Sequence, residues 1–169
     1  MVTAQEPNAA DVGAAVLKAG GNAVDAAVAI GFALAATHPF AGNLGGGGFM
    51  LIRFADGRTT FVDFREAAPL AASHDMYLDE KGNPTRDSIE GWRASGVPGT
   101  VRGLGVAHSK YGKKPWASLV QPAVTLARDV RAFTAAGSQG FTTLPSGISS
   151  DTGRKQPPLV GMSGSVSAR

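Results

Sequence analysis

The order of the predicted elements along this 169-residue chain indicates an α+β fold. Two stretches with helical spacing of apolar residues come first, and two β-type runs joined by a short turn follow them. Further helical stretches come after the β-type runs. The length is typical of one domain, or of part of a larger one, and is sufficient to bury a core.

The first helix is predicted over Asn8–Ala19, where Val12, Val16 and Leu17 lie on one apolar stripe. The pair Gly20-Gly21 ends it, because glycine readily adopts the left-handed conformation found at helix C-termini.

The second helix is predicted to begin after Asn22, whose side chain can cap it, and Asp25 follows near the positive end of the helix dipole. Alanine and glycine cover much of this helix, so neighbouring segments can approach closely and we expect it to be deeply buried. The helix ends at His38-Pro39, because proline disfavours helical geometry in the residue before it.

Four consecutive glycines, Gly45–Gly48, lie between this helix and the first strand. They free the backbone from Cβ constraints, so it can turn at positive φ or approach another segment closely. A phosphate-binding loop would lead through Gly-Lys-Ser/Thr into a helix, whereas here Phe49 begins a strand. We therefore interpret the run as a tight connection packed under other backbone.

A β-hairpin is predicted from Phe49–Phe54 and Thr59–Phe64, with Arg65 at the exit of its second strand. The planar guanidinium of arginine can hold a carboxylate by two parallel hydrogen bonds. The alternative role is an ion pair with a near neighbour, Asp63 or Glu66. Spacing alone favours this alternative.

Prolines mark the predicted starts of helices in the second half of the chain. Pro98 is predicted to open a helix that continues to Tyr111, and Pro115 and Pro122 are each predicted to start another. Glycine, proline, serine and threonine make up 20 of the 37 residues 133–169. We expect residues 132–169 to form a divergent, disordered tail after an ordered part at 1–131.

Composition and charge exclude several classes of protein. The chain has no cysteine, which excludes a disulfide framework, a thiolate metal site and a cysteine nucleophile. No apolar run approaches the ~18 residues of a membrane span. Residues 86–131 carry 8 basic and 3 acidic side chains, but the cations are scattered without stacking aromatics, so we expect no nucleic-acid partner. Met1–Ala4 shows no basic region followed by an apolar one, so we expect no signal peptide here.

The remaining candidates for chemistry are weak. His38, His74 and His108 are far apart and lack the local spacing of a zinc site, so surface or loop roles are favoured. A Ser–His–Asp triad assembled in space stays open, without a nucleophile-elbow motif to support it. Nothing near Thr142-Thr143 would activate a threonine nucleophile.

Several blocks in this order resemble the gamma-glutamyltransferase family. The residues that carry the resemblance are Gly20–Ala27, Gly42–Met50, Asp63–Glu66 with Ala68-Pro69, Val97–Val101 with Gly103-Leu104, and Tyr111–Lys113 with Pro115-Trp116, Leu119–Ala123 and Leu126–Arg128.

The resemblance implies an incomplete fragment of an N-terminal-nucleophile hydrolase fold, an αββα sandwich of two β-sheets between helices. Family members are made as a precursor that cleaves itself into a large and a small subunit. The new N-terminal threonine attacks the gamma-glutamyl amide of glutathione or a related compound, and water or an amine then accepts the acyl group. No metal or organic cofactor is implied. By position, the resemblance implies that Arg65 binds the α-carboxylate of the gamma-glutamyl group. This reverses the preference for a local ion pair that spacing alone gave.

The resemblance covers only the first part of the large subunit. We therefore expect the chain to come from a truncated reading frame and to be inactive alone. Its expected partners are gamma-glutamyl compounds, the rest of the large subunit and the small subunit. The alternatives are a non-catalytic remnant that binds only a partner chain or ligand, and an unrelated module whose glycine loop holds an anion. Bacterial members are usually periplasmic or secreted, and the sequence leaves the compartment open.

Overall fold

The computed structural model of the protein describes residues 1–128, and the predicted tail at 132–169 lies outside them. Helices and a two-stranded sheet alternate as an α+β arrangement. The elements are α1 (Pro7–Lys18), α2 (Ala23–Thr37), β1 (Phe49–Arg53), β2 (Thr59–Asp63), α3 (Thr100–Tyr111) and α4 (Trp116–Arg128). Short 3-10 turns at Arg86–Ser88 and Trp92–Ala94 lie in the connection between β2 and α3.

Helix α1 begins one residue earlier than predicted because Glu6 caps it. The Glu6 carboxylate accepts hydrogen bonds from the backbone N–H groups of Asn8 (3.1 Å) and Ala9 (3.0 Å), and Pro7 occupies the first turn. Partial burial opposes ionisation of Glu6, but these hydrogen bonds outweigh it and the pKa of the carboxyl lies below its ordinary value. Gly20 follows the helix with φ +84°, as predicted.

Helix α2 is the centre of the core, which confirms its predicted burial. It packs against α1 on one side and against α4 and α3 on others. Its side chains are buried around most of its circumference: Val24, Asp25, Ala26, Val28, Ala29, Ile30, Phe32, Ala33 and Leu34. The Phe32 ring meets the Trp116 ring of α4 edge to face at 5.3 Å between centroids.

A fully buried carboxylate, Asp25, joins the start of α2 to the end of α3. It accepts from the backbone N–H of Asn22 at 2.9 Å, and Asn22 in turn caps the helix by accepting from the N–H of Asp25. The same carboxylate accepts from the N–H groups of Lys113 (2.9 Å) and Lys114 (3.2 Å), and the Asn22 amide donates to the carbonyl of Tyr111 at 2.6 Å. One capping box therefore also holds a contact between distant parts of the chain.

The hairpin is antiparallel, with Leu51 opposite Phe61. Its two faces differ: Met50, Ile52 and Val62 pack on the helical core, whereas Phe49, Leu51 and Phe61 are on the other face and are 50%, 67% and 57% exposed. Alternation along each strand places these sets on opposite sides. The sheet therefore has an apolar outer face.

The prediction that Pro122 starts a separate helix is wrong. Pro122 lies inside α4, whose residues Leu119 and Ala123 are both buried against the core. Proline removes the hydrogen bond to the carbonyl four residues earlier, which belongs to Ser118, an exposed residue open to water. Packing of the flanking residues on α2 keeps one continuous helix. None of the described helices has the length and hydropathy needed to cross a bilayer.

We expect Asp25→Ala to lower the free energy of unfolding by about 2–4 kcal/mol, because the backbone N–H groups of Asn22, Lys113 and Lys114 would lose their buried acceptor. Urea unfolding followed by circular dichroism measures the change. Asp56→Asn is the control, since Asp56 lies in the exposed hairpin turn, where its carboxylate accepts hydrogen bonds from Arg58. An unchanged midpoint for Asp25→Ala would contradict the role given to this carboxylate.

Candidate functional site

The glycine run caps helix α3 with its own backbone. The carbonyl of Gly46 accepts hydrogen bonds from the N–H groups of Gly99 (2.9 Å) and Thr100 (3.1 Å), at the start of a helix that has no side-chain cap. The free N–H groups at a helix start need such acceptors. The run therefore holds the start of α3 beside the hairpin.

The next two glycines lie against the segment that follows β2. Gly48 and Phe64 exchange backbone hydrogen bonds of 3.3 and 3.0 Å, which extends the hairpin by one residue pair. A Cβ on Gly47 would lie 2.6 Å from the carbonyl oxygen of Phe64 and 2.7 Å from the nitrogen of Glu66. No glycine of the run has a positive φ. The requirement for glycine is thus close approach, one of the two uses predicted.

Two glycines at the start of α3, Gly99 and Gly103, also lie against Phe64. A Cβ on Gly99 would lie 1.9 Å from the Phe64 carbonyl oxygen, and one on Gly103 would lie 2.1 Å from the Phe64 ring. Ala67 and Val97 exchange backbone hydrogen bonds of 3.2 and 2.8 Å nearby. We call the contact of residues 46–48, 64–67 and 97–103 the glycine joint.

Arg65 follows Phe64 in the glycine joint, and its side chain extends into solvent. Its backbone N–H donates to the Asp63 carboxylate at 3.0 Å, which anchors the main chain. The side chain is 70% exposed, and its Nε lies 3.8 Å from an oxygen of Glu66. Among residues 1–128, no hydrogen-bond partner engages the terminal guanidinium nitrogens of Arg65. The joint thus fixes the backbone of this residue and presents its charged group outward.

The ion pair that spacing favoured is present only in a weak form. Asp63 bonds to the backbone of Arg65 rather than to its guanidinium. The contact to Glu66 is longer than a hydrogen bond and lies in solvent, where such pairs contribute little. A carboxylate ligand could therefore bind Arg65 without displacing a strong internal partner.

The three histidines lie on separate elements of the fold. His38 ends α2, exposed His74 pairs with Asp75 at 2.6 Å, and Nε2 of His108 lies 2.7 Å from the carbonyl of Lys114. No cluster of three or more metal-ligating side chains occurs in the part of the chain that the structure describes. Thr142-Thr143 lies outside the described residues.

Sequence reasoning included Gly99 and Gly103 among the family blocks but did not identify their contacts. Their signal was the spacing of four residues within a predicted helix start, which puts both glycines on one face. That this face meets Phe64 depends on how the hairpin packs, and local patterns do not contain this information.

Three comparisons place the chain among known proteins. The family model described as gamma-glutamyltranspeptidase matches residues 9–136. The glutathione hydrolase proenzyme of Escherichia coli (strain K12) is 58% identical over 130 residues, which cover 76% of this chain and 22% of that protein. The crystal structure of Helicobacter pylori gamma-glutamyltranspeptidase aligns with a TM-score of 0.73 and 44% identity, covering 84% of this chain and 43% of that one.

A gamma-glutamyltranspeptidase from Pseudomonas nitroreducens, solved in complex with L-DON, aligns with a TM-score of 0.70 and 46% identity, covering 83% of this chain and 45% of that one. The resemblance found in the sequence blocks is confirmed, and the chain belongs to the gamma-glutamyltranspeptidase family. It spans about a fifth of the length of the curated relatives that it matches, in their N-terminal part.

We expect Gly47→Ala to destabilise the protein by about 1–3 kcal/mol, since its Cβ would meet backbone atoms that cannot move aside without opening the joint. Gly45→Ala in the same run is the matched control, because the nearest atom to its Cβ is 3.7 Å away. Thermal unfolding of both variants measures the difference. Equal melting temperatures would show that the close approach is not a constraint.

Proposed function

We propose that this chain forms the N-terminal part of the large subunit of a gamma-glutamyltransferase and supplies the group that binds the substrate's α-carboxylate. The observation that carries the proposal is Arg65, which has an anchored backbone, an exposed guanidinium and only a weak internal partner. Family membership supports the same role, since the Asp-Phe-Arg-Glu motif that holds Arg65 is one of the blocks of the resemblance.

In the proposed reaction Arg65 holds the α-carboxylate of a gamma-glutamyl compound such as glutathione by two parallel hydrogen bonds. This contact orients the scissile amide towards the nucleophile, and correct orientation lowers the barrier substantially. The nucleophile is the N-terminal threonine of the small subunit, in a part of the family polypeptide that this sequence does not include. Its amine can take the proton of its own hydroxyl.

The threonine oxygen then forms an ester with the gamma-carbonyl carbon, the amide C–N bond breaks, and the leaving nitrogen takes up a proton. Water or an acceptor amine next attacks the ester and releases the threonine. Arg65 takes part in neither bond change, so its contribution is to binding and orientation. No step requires a metal or an organic cofactor.

The proposal includes the αββα sandwich of the N-terminal-nucleophile hydrolases. The described residues contain one two-stranded sheet with helices on one face. Its outer face exposes Phe49, Leu51 and Phe61, and the Phe49 and Phe61 rings stack at 5.7 Å. A contiguous apolar face of this kind is typical of a surface covered in the complete protein. A second sheet from the remaining polypeptide would cover it.

We expect Arg65→Lys to raise KM for a gamma-glutamyl substrate by about 10–100-fold, because lysine keeps the charge but cannot form two parallel hydrogen bonds. Steady-state kinetics of the assembled enzyme measures the change. Arg58→Lys is the matched control, since Arg58 is similarly exposed at the hairpin turn, where it pairs with Asp56. An unchanged KM for Arg65→Lys would overturn the assignment.

Co-expression tests the activity itself. We expect the 169-residue chain, combined with the part of the E. coli glutathione hydrolase proenzyme beyond the matched segment, to release the chromophore from a chromogenic gamma-glutamyl amide. Each chain alone is the control and is expected to be inactive. Stable co-purification of the two chains without activity would contradict the proposed function and support a non-catalytic remnant.

A further inference from the structure

The connection between β2 and α3 leaves the glycine joint directly after Arg65 and returns to it. Two backbone hydrogen bonds between Ala67 and Val97 close its base. Residues 68–96, which lie between them, contain two short 3-10 turns and one isolated pair of bridged residues. We call residues 68–96 the long loop. An ordered loop longer than about 15 residues is uncommon and is usually functional.

The outer half of the long loop is held together by local hydrogen bonds. The Tyr77 carbonyl accepts from the Thr85 N–H at 2.7 Å and from the Thr85 hydroxyl at 2.9 Å. Further out, the N–H of Asp79 donates to the carbonyl of Asn83 at 2.9 Å, and the Asp79 carboxylate accepts from the N–H of Asn83 at 2.8 Å. Residues 77–85 therefore form one unit, and its position depends on contacts with the rest of the loop.

Arg93 makes contacts that connect this unit to the returning part of the long loop. Its guanidinium donates to the Asp87 carboxylate at 2.8 Å and to the carbonyl of Met76. The carbonyl of Arg93 accepts from the Tyr77 hydroxyl at 2.9 Å. Three segments of the long loop thus meet at one residue. Hydrogen bonds from a charged donor are stronger than neutral ones, so this contact is well suited to keep the loop closed.

The returning part of the long loop reaches the residue next to Arg65. A Cβ on Gly96 would lie 3.2 Å from the Cβ of Glu66 and 3.3 Å from the carbonyl oxygen of Ala67. Gly96 follows Arg93 by three positions, and Glu66 lies beside the Nε of Arg65 at 3.8 Å. A displacement of the returning part would therefore move the backbone that carries Arg65.

We propose that Arg93 is a positioning residue for Arg65, because it holds the long loop closed and so fixes the direction in which the Arg65 guanidinium points. On the hairpin side, the Asp63 carboxylate already holds the N–H of Arg65. The long loop holds the residues that follow. A guanidinium that binds a carboxylate through two parallel bonds needs a defined direction. The inference rests on the proposed function, since it concerns how the proposed substrate-binding residue is held.

Steady-state kinetics tests the effect on substrate binding. The chain carrying Arg93→Ala is combined with the remainder of the E. coli proenzyme and assayed with a chromogenic gamma-glutamyl amide. We expect KM to rise about 3–10-fold while kcat changes less than about twofold, because Arg65 is proposed to bind the substrate and takes part in neither bond change. A purely structural role would reduce the amount of active enzyme at unchanged KM, and this result would overturn the inference.

Arg86→Ala is the matched control for this experiment. Arg86 belongs to the same long loop, and its guanidinium pairs with Glu90, four residues further along the chain. The pair therefore connects no distant segments of the loop. We expect KM to stay at the value of the unaltered chain. An equal rise in KM for Arg86→Ala and Arg93→Ala would contradict a specific role for Arg93.

Two milder variants keep the test decisive if Arg93→Ala does not fold. Arg93→Lys keeps the charge, but one ammonium group cannot reproduce the planar fork that reaches both Met76 and Asp87, so we expect an intermediate KM. Tyr77→Phe removes only the hydroxyl that bonds to the Arg93 carbonyl, and we expect a rise in KM of about twofold. Unchanged KM in both variants would overturn the inference.

Hydrogen exchange in the 169-residue chain tests the link to Arg65 without any assembly. We expect the amides of Ala67 and Val97 to exchange at least about tenfold faster in Arg93→Ala, because the base of the long loop then opens more often. The NMR signal of the Arg65 amide shifts with them, whereas the amides of α2 are the unchanged reference. Arg86→Ala is again the control. Unchanged exchange at Ala67 and Val97 in Arg93→Ala would overturn the inference.

The outcomes separate this inference from the proposed function. A raised KM for Arg65→Lys with an unchanged KM for Arg93→Ala would support the function and overturn the inference. Unchanged KM for both variants, with faster exchange at the base of the long loop in Arg93→Ala, would contradict the function and support the link between Arg93 and Arg65. Chains that do not assemble would contradict the function, and the exchange measurement would then decide the inference.

Discussion

The contact on which the arrangement depends is the close approach of the glycine run to two other backbone segments. The carbonyl of Gly46 serves as the cap of α3, while Gly47 lies against the carbonyl of Phe64 at a distance that no side chain would permit. Gly99 meets the same carbonyl, so Phe64 is in close contact with both glycine segments. Arg65 follows Phe64 immediately, so the tight packing around the Phe64 backbone also fixes the position of Arg65.

A second buried contact makes this joint part of one body. Asp25 ties the start of α2 to the loop after α3, and α3 is the helix that the glycine run caps. The central helix, the hairpin and the substrate-binding candidate are thus linked through α3 at both of its ends. Hydrogen bonds to a buried carboxylate contribute more than neutral ones, and they hold only if the α2 cap and the loop at Lys113-Lys114 fold together. This coupling explains why a small, alanine-rich core can position a charged side chain on its surface.

Local patterns predicted most of the elements, because caps and periodicity act over a few residues. Three features are of this kind: the Asn22 cap, the end of α1 before Gly20, and the register of the hairpin, which follows from its turn. Pro122 was misread because the rule for proline concerns one hydrogen bond, whereas the burial of residues on both sides of it outweighs that loss. The contact of Gly103 with Phe64 could not be predicted, since it joins segments about forty residues apart and depends on how a hairpin packs on a helix. Arg65 was found through family resemblance, because spacing alone favoured a local ion pair.

The glycine and alanine that dominate this sequence have two structural consequences. Inside residues 1–128 they allow backbones to approach closely at the glycine joint and along α2. Beside β1, however, the small residues Ala23 and Ala27 line a space of about 400 Å³ that no described side chain fills. The same small residues therefore produce close contacts at the glycine joint and open space beside β1.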